Sequence, residues 1–206
     1  MYQLPKLRYL YQDLEPFIDT HTMGLHYEKH AKNYLNQLND LLKKNNYDYR
    51  YSLEKLIYHI NEFLEVDREN ILFNLGGVLN HILYFKGMNP NPKKPSGKLK
   101  FYLERFFGSY ENFWNLFKKK ALELKGSGYT FLVLKKNNEL EIINVSNQET
   151  PLLYGYIPLF NVDLWEHAYY INYENERLRY LDNFEKIADF ESANKIFEST
   201  IKYWIK

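Results

Sequence analysis

The chain has 206 residues, of which 45% are apolar and 18% aromatic, so it can bury a substantial core and is not a disordered segment. Its 27 basic and 26 acidic residues leave a formal charge of +1, which argues against nucleic acid or an anionic membrane as a partner and favours a small molecule. Cysteine is absent, so disulfides, thiolate nucleophiles and sulfur-ligated metals are excluded, and any metal must be held by nitrogen and oxygen atoms.

The N-terminal sequence MYQLPKLRYLYQDLEPF does not show the basic and then apolar pattern of a secretory signal. A run of about 18 apolar residues, which a membrane helix needs, does not occur in the sequence. We therefore expect a cytoplasmic protein without a membrane segment.

Three helices are predicted in the first half, because apolar and aromatic residues recur there at helical spacing. They cover residues 20–44, 52–64 and 67–85. Asp19 or Thr20 is the expected N-cap of the first helix, and Asp67 that of the third. Gly76 and Gly77 lie inside the third helix, where each glycine costs about 1 kcal/mol relative to alanine, so both require a packing or functional reason.

The second half is predicted to combine helices with a small sheet. The segment GMNPNPKKPSG is the clearest linker, so we divide the chain into a helical domain (1–88), a linker (89–97) and an α+β domain (98–206). Apolar residues recur at helical spacing after the linker and again over the last forty residues, which end in SANKIFESTIKYWIK. Three segments between them are predicted as strands: YTFLVLKK, ELEIINV and IPLFNVDLW. The predicted fold class is α+β: an all-helical hairpin domain, then a domain with a small three-stranded antiparallel sheet.

Histidine and acidic side chains recur in three separate segments. The candidate residues are His26, His30 and Tyr34 on the first helix, His81 on the third helix, and Asp163 and His167 in PLFNVDLWEHAYY. Taken singly, each group is explained more simply by core packing, by a carbonyl-bonded histidine or by an interior ion pair. Together, imidazoles and a carboxylate suit zinc, iron or manganese, and the spacing does not choose among these metals.

Five stretches carry a resemblance to a known family: LPKLRYLYQDLEPFIDTHTMGLHYEKHAKNYLNQLN, FNLGGVLNH, GSGYTFLVL, NQETPLL and DLWEHAYY. In sequence and order they resemble the iron and manganese superoxide dismutases over nearly the whole chain. The resemblance implies that two superoxide ions become dioxygen and hydrogen peroxide by redox cycling of one manganese or iron ion per subunit. It assigns four ligands to that ion, His26, His81, Asp163 and His167.

The resemblance also assigns residues around the metal. Tyr34 would be the gateway hydroxyl, beside His30, and Gln148 the amide that hydrogen-bonds the solvent at the metal. In the manganese members the glutamine comes from the second half and a glycine lies four positions before the second histidine, as with Gln148 and Gly77 here. Manganese is therefore favoured, and the missing side chain of Gly77 is expected to leave room for the amide.

Glu166 and Tyr170 match family residues that cross a two-fold interface, so the resemblance implies a homodimer. Without the resemblance, Glu166 would be read as an exposed acid that interacts with a helix dipole.

Some positions depart from the family pattern. Phe85, Tyr129 and Phe131 stand where the family usually has tryptophan, so the apolar wall around the metal is altered. Arg177 matches a basic position near the substrate entrance and, with Lys29, is expected to attract the superoxide anion.

Two alternatives remain open at this point. The chain could be a non-enzymatic structural subunit that keeps the fold, or a zinc hydrolase built on the same ligands, although no general base is evident for the second. His21 and His59 have no assigned role and are expected to be surface or capping residues.

Overall fold

The computed structural model describes residues 1–204, in which a helical first half packs against a second half of helices and strands. The predicted α+β class, with a helical hairpin and a three-stranded antiparallel sheet, is confirmed. The predicted last helix extends to residue 206, and its final two residues lie outside the described residues.

The helices and strands follow one another along the chain with a clear division between the halves. In order they are α1 (Thr20–Leu25), a π-helical turn (His26–Ala31), α2 (Lys32–Lys44), α3 (Leu53–Leu56), α4 (Glu65–Lys86), α5 (Gly97–Phe107), α6 (Tyr110–Leu122), β1 (Gly128–Leu134), β2 (Leu140–Ser146), β3 (Ile157–Asp163), α7 (Tyr170–Tyr173), α8 (Arg177–Phe184) and α9 (Glu191–Trp204). Short 3-10 turns occur at Tyr11–Leu14, Ile57–Glu62, Pro151–Tyr154 and Glu166–Ala168.

The predicted first helix is present, but a π-helical turn interrupts it. Asp19 is its N-cap, since the Asp19 carboxylate accepts hydrogen bonds from the backbone N–H of Thr22 at 2.8 Å and from the Thr22 hydroxyl at 2.6 Å. The π turn then covers His26–Ala31. π-helical turns are rare in proteins, but those that occur are often found at functional sites. A strict 3.6-residue period does not predict them.

The start of α4 differs from the sequence prediction. Asp67 is not its N-cap: α4 begins two residues earlier, and the buried Asp67 carboxylate accepts hydrogen bonds from Lys44 Nζ at 2.6 Å and Asn45 Nδ2 at 2.9 Å. Asn45 Oδ1 in turn accepts from the backbone N–H of Leu64, the residue before α4. The end of α2 therefore fixes the start of α4 through side-chain contacts that sequence propensity does not include.

The predicted second helix is broken into α3 and a 3-10 turn. His59, inside that turn, has φ −110° and ψ 16°, which is not helical. Leu56, Ile57 and Phe63 are all buried in the core of the hairpin. Short helices depend on tertiary packing more than on propensity, so burial of these side chains decides the local conformation.

The sheet has the strand order β2-β1-β3, and both pairs are antiparallel. The central strand β1 is buried along its whole length, which explains its continuous apolar sequence. In the register of β1 and β3, Tyr129 lies directly opposite Asp163. The sheet thus places one end of β1 beside the last residue of β3.

The segment predicted as a linker is hydrogen-bonded to the connection between α8 and α9. Asn89 N donates to Ile187 O at 2.9 Å, and Asp189 N donates to Gly87 O at 2.8 Å. The buried Asp189 carboxylate also accepts from Lys93 N at 2.9 Å. These contacts hold the segment in place between the two halves, and the domain division at its ends stays a prediction.

The two halves share one buried cluster of side chains. Met23 and Tyr84 from the helical half lie in the same cluster as Phe160 and Tyr180 from the second half, and the Tyr84 and Tyr180 hydroxyls are 3.0 Å apart. Within residues 1–204, the helices are all too short or too polar to cross a bilayer.

Candidate metal centre

Four side chains converge where the two halves meet. His26 lies in the π turn, His81 on α4, Asp163 at the end of β3 and His167 in the 3-10 turn that follows. Each offers one ligand atom, and these atoms lie within 4.8 Å of one another. Asp163 Oδ2 is central among them, at 3.2 Å from His26 Nε2, 3.5 Å from His167 Nε2 and 3.9 Å from His81 Nε2.

The atoms that face each other in this cluster are buried and lack a hydrogen-bond partner in the described part of the chain. They are His26 Nε2, His81 Nε2, Asp163 Oδ2 and His167 Nε2. Buried polar atoms of this kind are costly unless something binds them. Three imidazole nitrogens and one carboxylate oxygen are a suitable donor set for iron or manganese, so the residues fit a metal ion.

Burial sets the protonation of the cluster. It lowers the pKa of His26 to about 4 and the pKa of His81 to about 3, so both imidazoles are neutral near pH 7. Burial alone would raise the pKa of Asp163, but the nearby imidazoles of His167 and His26 hold that pKa well below its usual range. An anionic carboxylate beside neutral imidazoles is the form in which these groups bind a cation.

Neighbouring groups orient the candidate ligands. His81 Nδ1 lies 2.6 Å from the carbonyl oxygen of Gly77, which can only accept, so Nδ1 carries the proton and the Nε2 lone pair faces the cluster. The Asp163 Oδ1 atom accepts a hydrogen bond from the backbone N–H of Trp165 at 2.8 Å, which leaves Oδ2 directed at the histidines.

The three residues expected around the metal lie beside the cluster. Gln148 is buried, and its Nε2 donates a hydrogen bond to the Tyr34 hydroxyl at 3.0 Å. Burial raises the pKa of Tyr34, so this hydroxyl keeps its proton near neutral pH. His30 is partly buried and stacks on the His167 ring, with the ring centroids 4.1 Å apart and the planes at 15°.

Two glycines of α4 allow this close approach. A Cβ on Gly77 would lie 2.6 Å from Tyr34 Cγ, so Gly77 makes room for the tyrosine ring. A Cβ on Gly76 would lie 1.9 Å from the backbone carbonyl oxygen of Gln148. Gly76 therefore admits the backbone of the Gln148 segment, and the room expected at Gly77 for the amide stays a prediction.

Aromatic rings lie around the cluster, and two of them, Phe85 and Tyr129, stand where the family usually has tryptophan. Phe85 packs on His26 with ring centroids 5.1 Å apart, and Trp165 stacks on His167 at 5.7 Å. Phe85 and Phe131 each line a separate surface cleft of about 230 Å³. Tyr129 is fully buried and brings a hydroxyl to 3.5 Å from His81 Nδ1, a polar contact that sequence reasoning missed.

The two basic residues expected near the entrance differ in environment. Lys29 is exposed on the same surface as His30. The Arg177 guanidinium instead donates hydrogen bonds to the carbonyls of Leu124 at 2.9 Å and Leu164 at 3.3 Å. Arg177 therefore joins the loop before β1 to the turn after β3.

The remaining predicted residues lie outside the cluster. Glu166, which precedes His167 in the sequence, is exposed, and Tyr170, three residues after His167, is 49% exposed. His21 is exposed, and His59 stacks on Tyr51 with ring centroids 3.7 Å apart, as expected of surface residues.

Comparison with known proteins agrees with this arrangement. The chain matches the alpha-hairpin domain of the iron/manganese superoxide dismutases over residues 1–89 and their C-terminal domain over residues 95–196. The chain therefore belongs to the iron/manganese superoxide dismutase family.

Curated relatives match over nearly their full length. A protein of Listeria innocua named as a manganese superoxide dismutase is 37% identical over 199 residues, covering 96% of this chain and 98% of its own. One of Buchnera aphidicola with the same name is 36% identical over 200 residues, covering 94% and 97%. One of Staphylococcus aureus, named as a manganese/iron superoxide dismutase, is 34% identical over 198 residues, covering 96% and 98%.

Proposed function

We propose that the protein is a superoxide dismutase, which converts two superoxide ions and two protons to one dioxygen and one hydrogen peroxide. The observation that carries this proposal is the cluster of four buried donor atoms within 4.8 Å of one another, in a chain that belongs to this family.

We propose that His26, His81, Asp163 and His167 hold one metal ion per subunit, with two ligands from each half. A bound manganese or iron ion would supply a reversible one-electron change, which zinc cannot. This requirement argues against the zinc hydrolase alternative. The structural-subunit alternative is disfavoured because all four donor residues are retained and meet in one place.

The residues beside the cluster would manage protons and water. Peroxide formation consumes two protons. The Tyr34 hydroxyl carries a proton, and its oxygen accepts a hydrogen bond from the Gln148 amide. Tyr34 and His30 are only partly buried, unlike His26 and His81, so they connect the interior with solvent. Phe85 packs against the His26 ring and Trp165 against the His167 ring, and these contacts exclude water from the histidine rings on those sides.

We propose that manganese is the preferred ion. Gln148 enters the site from the second half, and Gly77 lies four positions before His81; the sequence resemblance links these two features to the manganese members. The names of the relatives from Listeria innocua and Buchnera aphidicola support the same choice, while the Staphylococcus aureus name includes iron.

We propose a homodimer that forms at Glu166 and Tyr170. Both residues are exposed and lie within three positions of His167 in the sequence, and Ile171, which follows Tyr170, is 53% exposed. Light scattering after gel filtration should give twice the subunit mass for the wild type and a monomer for Tyr170→Ala. A monomeric wild-type protein would contradict the dimer. The cytoplasmic location stays a prediction from the sequence.

The function is tested by elemental analysis of protein purified without added metal, followed by separate loading with manganese and iron and a superoxide-consumption assay. We expect bound redox metal and activity with manganese. Activity with both metals would remove the proposed preference. Protein that holds manganese or iron without consuming superoxide would contradict the proposed function and favour the structural-subunit alternative.

A further inference from the structure

A surface cleft of about 230 Å³ lies where residues 4–8 of the N-terminal segment meet the last turn of α4. Its apolar lining includes Leu4, Leu7, Ile82 and Phe85. The four candidate metal ligands are not among the described residues that line it, so the cleft is separate from the cluster. Sites for drug-sized molecules usually enclose about 300 to 1,000 Å³, so this cleft is suited to a smaller ligand.

Hydrogen bonds between distant segments hold the walls of the cleft in place. Arg8 Nη2 donates to the carbonyl of Lys86 at 2.9 Å, which attaches the N-terminal segment to α4. The Tyr27 hydroxyl donates to the carbonyl of Pro5 at 2.9 Å, which attaches the same segment to the π turn. The cleft is therefore formed before a ligand arrives, and binding does not have to order its walls.

The charge of the cleft has one sign. The charged residues that line it are Lys6, Arg8, Lys86 and Lys195. Two of these are already neutralised, because Arg8 pairs with Asp189 at 2.9 Å and Lys195 pairs with Glu191 at 2.7 Å. The other two lysines are exposed and form no ion pair with the side chains that the structure describes. A ligand that complements this cleft is therefore an anion.

The available donors favour a carboxylate over a phosphate. Phosphate is bound best by a guanidinium that offers two parallel N–H groups. Arg8, the one guanidinium among the described residues of the lining, already donates to Asp189 and to the Lys86 carbonyl. Lys6 and Lys86 act as point charges, which is sufficient for a group that carries a single negative charge.

We propose that this cleft binds a small monocarboxylate with an apolar body, such as a medium-chain fatty acid. The apolar body lies against Ile82 and Phe85, and the carboxylate pairs with Lys6 and Lys86. Burial of the apolar body supplies most of the affinity, and the two lysines select the sign of the charge. The site lies outside the candidate metal centre, so it does not depend on the proposed superoxide chemistry.

The first experiment is isothermal titration calorimetry of the full chain with three probes. Octanoate below its micelle concentration carries the tail and the charge, octylammonium carries the same tail with the opposite charge, and acetate carries the charge without the tail. We expect octanoate to bind at one site per subunit, and the other two probes to bind on the order of tenfold more weakly. Equal affinity for octylammonium would overturn the role of the lysines, and equal affinity for acetate would overturn the role of the apolar lining.

Replacement of the two lysines places the ligand in this cleft. Lys6→Gln and Lys86→Gln each remove one charge and should each weaken octanoate binding by up to about fivefold at low salt, the limit expected of one exposed ion pair. Lys119→Gln is the matched control, because Lys119 is an exposed lysine of α6 that does not line the cleft. Wild-type affinity in the double variant of Lys6 and Lys86 would overturn the proposal.

A bulky side chain in the cleft tests the apolar contact. Ile82 is half-buried and lines the cleft, so the indole of Ile82→Trp should fill it and abolish octanoate binding. If circular dichroism shows that Ile82→Trp does not fold, Leu7→Trp on the N-terminal segment takes its place. Wild-type affinity in a folded variant of this kind would overturn the proposal.

Titration before and after metal removal separates this site from the metal centre. We expect the same octanoate affinity with and without a chelator, because the candidate ligands do not line the cleft. Octanoate binding that disappears with the metal would place the carboxylate on the ion and overturn the proposal. A protein without superoxide activity would contradict the proposed function and leave the octanoate result unchanged.

Discussion

Gln148 Nε2 donates a hydrogen bond to the Tyr34 hydroxyl at 3.0 Å, and this bond joins the α+β half of the molecule to the helical half. The two residues are 114 positions apart in the sequence, so the bond exists only when the halves are packed together. It places an amide and a phenol side by side at the edge of the His26, His81, Asp163 and His167 cluster. A change to either side chain should therefore be detected in the chemistry of the site before it is detected in the stability of the fold.

Replacement of Gln148 by alanine should lower activity and leave the protein folded. The amide does not belong to the candidate ligand set, so metal content should be retained. Loss of a group that supports a metal site from outside typically costs about 10- to 100-fold in activity. The measurement is superoxide consumption per bound manganese ion, beside circular dichroism.

The control for this variant is Gln37→Ala, which removes an exposed glutamine of α2. Gln37→Ala should retain wild-type activity. A Gln148→Ala protein that is insoluble, or one with unchanged activity, would contradict the role proposed for Gln148.

Replacement of His81 by alanine should remove the metal and its stabilising effect together. His81 lies on α4 and meets Asp163 and His167 from the other half, so a bound ion would tie the halves to each other. Wild-type protein should melt at a higher temperature with manganese than after treatment with a chelator, since a ligand that binds only the folded state stabilises it. His81→Ala should show the same melting temperature under both conditions.

His59→Ala is the matched control, because His59 stacks on Tyr51 outside the cluster. It should bind manganese and respond to the chelator as the wild type does. Unchanged metal content in His81→Ala would show that His81 is not a ligand.

The sequence predicted the site more completely than it predicted the local structure around it. His26, His81, Asp163 and His167 were predicted together because their residue types and order match a family pattern; the structure brings all four together, and their role as metal ligands stays a prediction. The segment of β1 was predicted as a strand from its own apolar and aromatic composition, and the structure shows that this strand is buried along its whole length.

The features that the sequence did not predict depend on contacts between distant segments. Asp67 resembles an N-cap by its position, but Lys44 and Asn45 bind it inside the first turn of α4. Likewise, the requirement for glycine at Gly76 comes from a backbone oxygen of the other half. Propensity rules describe neighbours along the chain, and therefore cannot include such contacts.

Alanine at Gly76 should be more harmful than alanine at Gly77. The Gly76 Cβ would lie 1.9 Å from a backbone oxygen of Gln148, which can move only with its chain, whereas the Gly77 Cβ would lie 2.6 Å from the Tyr34 ring. Overpacking of this kind costs typically 1 to 3 kcal/mol, so we expect about 3 kcal/mol for Gly76→Ala and about 1 to 2 kcal/mol for Gly77→Ala. Urea denaturation of the metal-free variants measures both.

The control is Gly24→Ala on α1. A Cβ there would meet only Tyr11 Cε2, at 4.0 Å, among the described residues outside its own helix, so the substitution should stabilise the protein by about 0.5 to 1 kcal/mol. Equal destabilisation by Gly76→Ala and Gly77→Ala would show that the Gln148 backbone adapts as readily as the Tyr34 ring.

Replacement of Asp189 by alanine should destabilise the junction between the halves. The Asp189 side chain is nearly fully buried, and it accepts hydrogen bonds from Arg8 Nη2 at 2.9 Å and from Lys93 N at 2.9 Å. It thus connects the N-terminal segment, the segment before α5 and the connection before α9. Arg8 Nη2, Lys93 N and, at 3.4 Å, Glu191 N all lose this acceptor. A buried donor left without a partner costs about 1 to 3 kcal/mol, and we expect a loss of about 2 to 3 kcal/mol in the free energy of unfolding.

Asp182→Ala is the comparison for this change, because the Asp182 carboxylate pairs with Lys118 at 2.8 Å but is 50% exposed. An exposed pair contributes at most about 1 kcal/mol, so Asp182→Ala should unfold within that margin of the wild type. The difference between the two variants isolates the buried contacts, since each removes one aspartate from an ion pair. If Asp189→Ala unfolded at the same urea concentration as Asp182→Ala, water would have replaced the Asp189 carboxylate, and the junction would rest on the shared core around Tyr84 and Phe160.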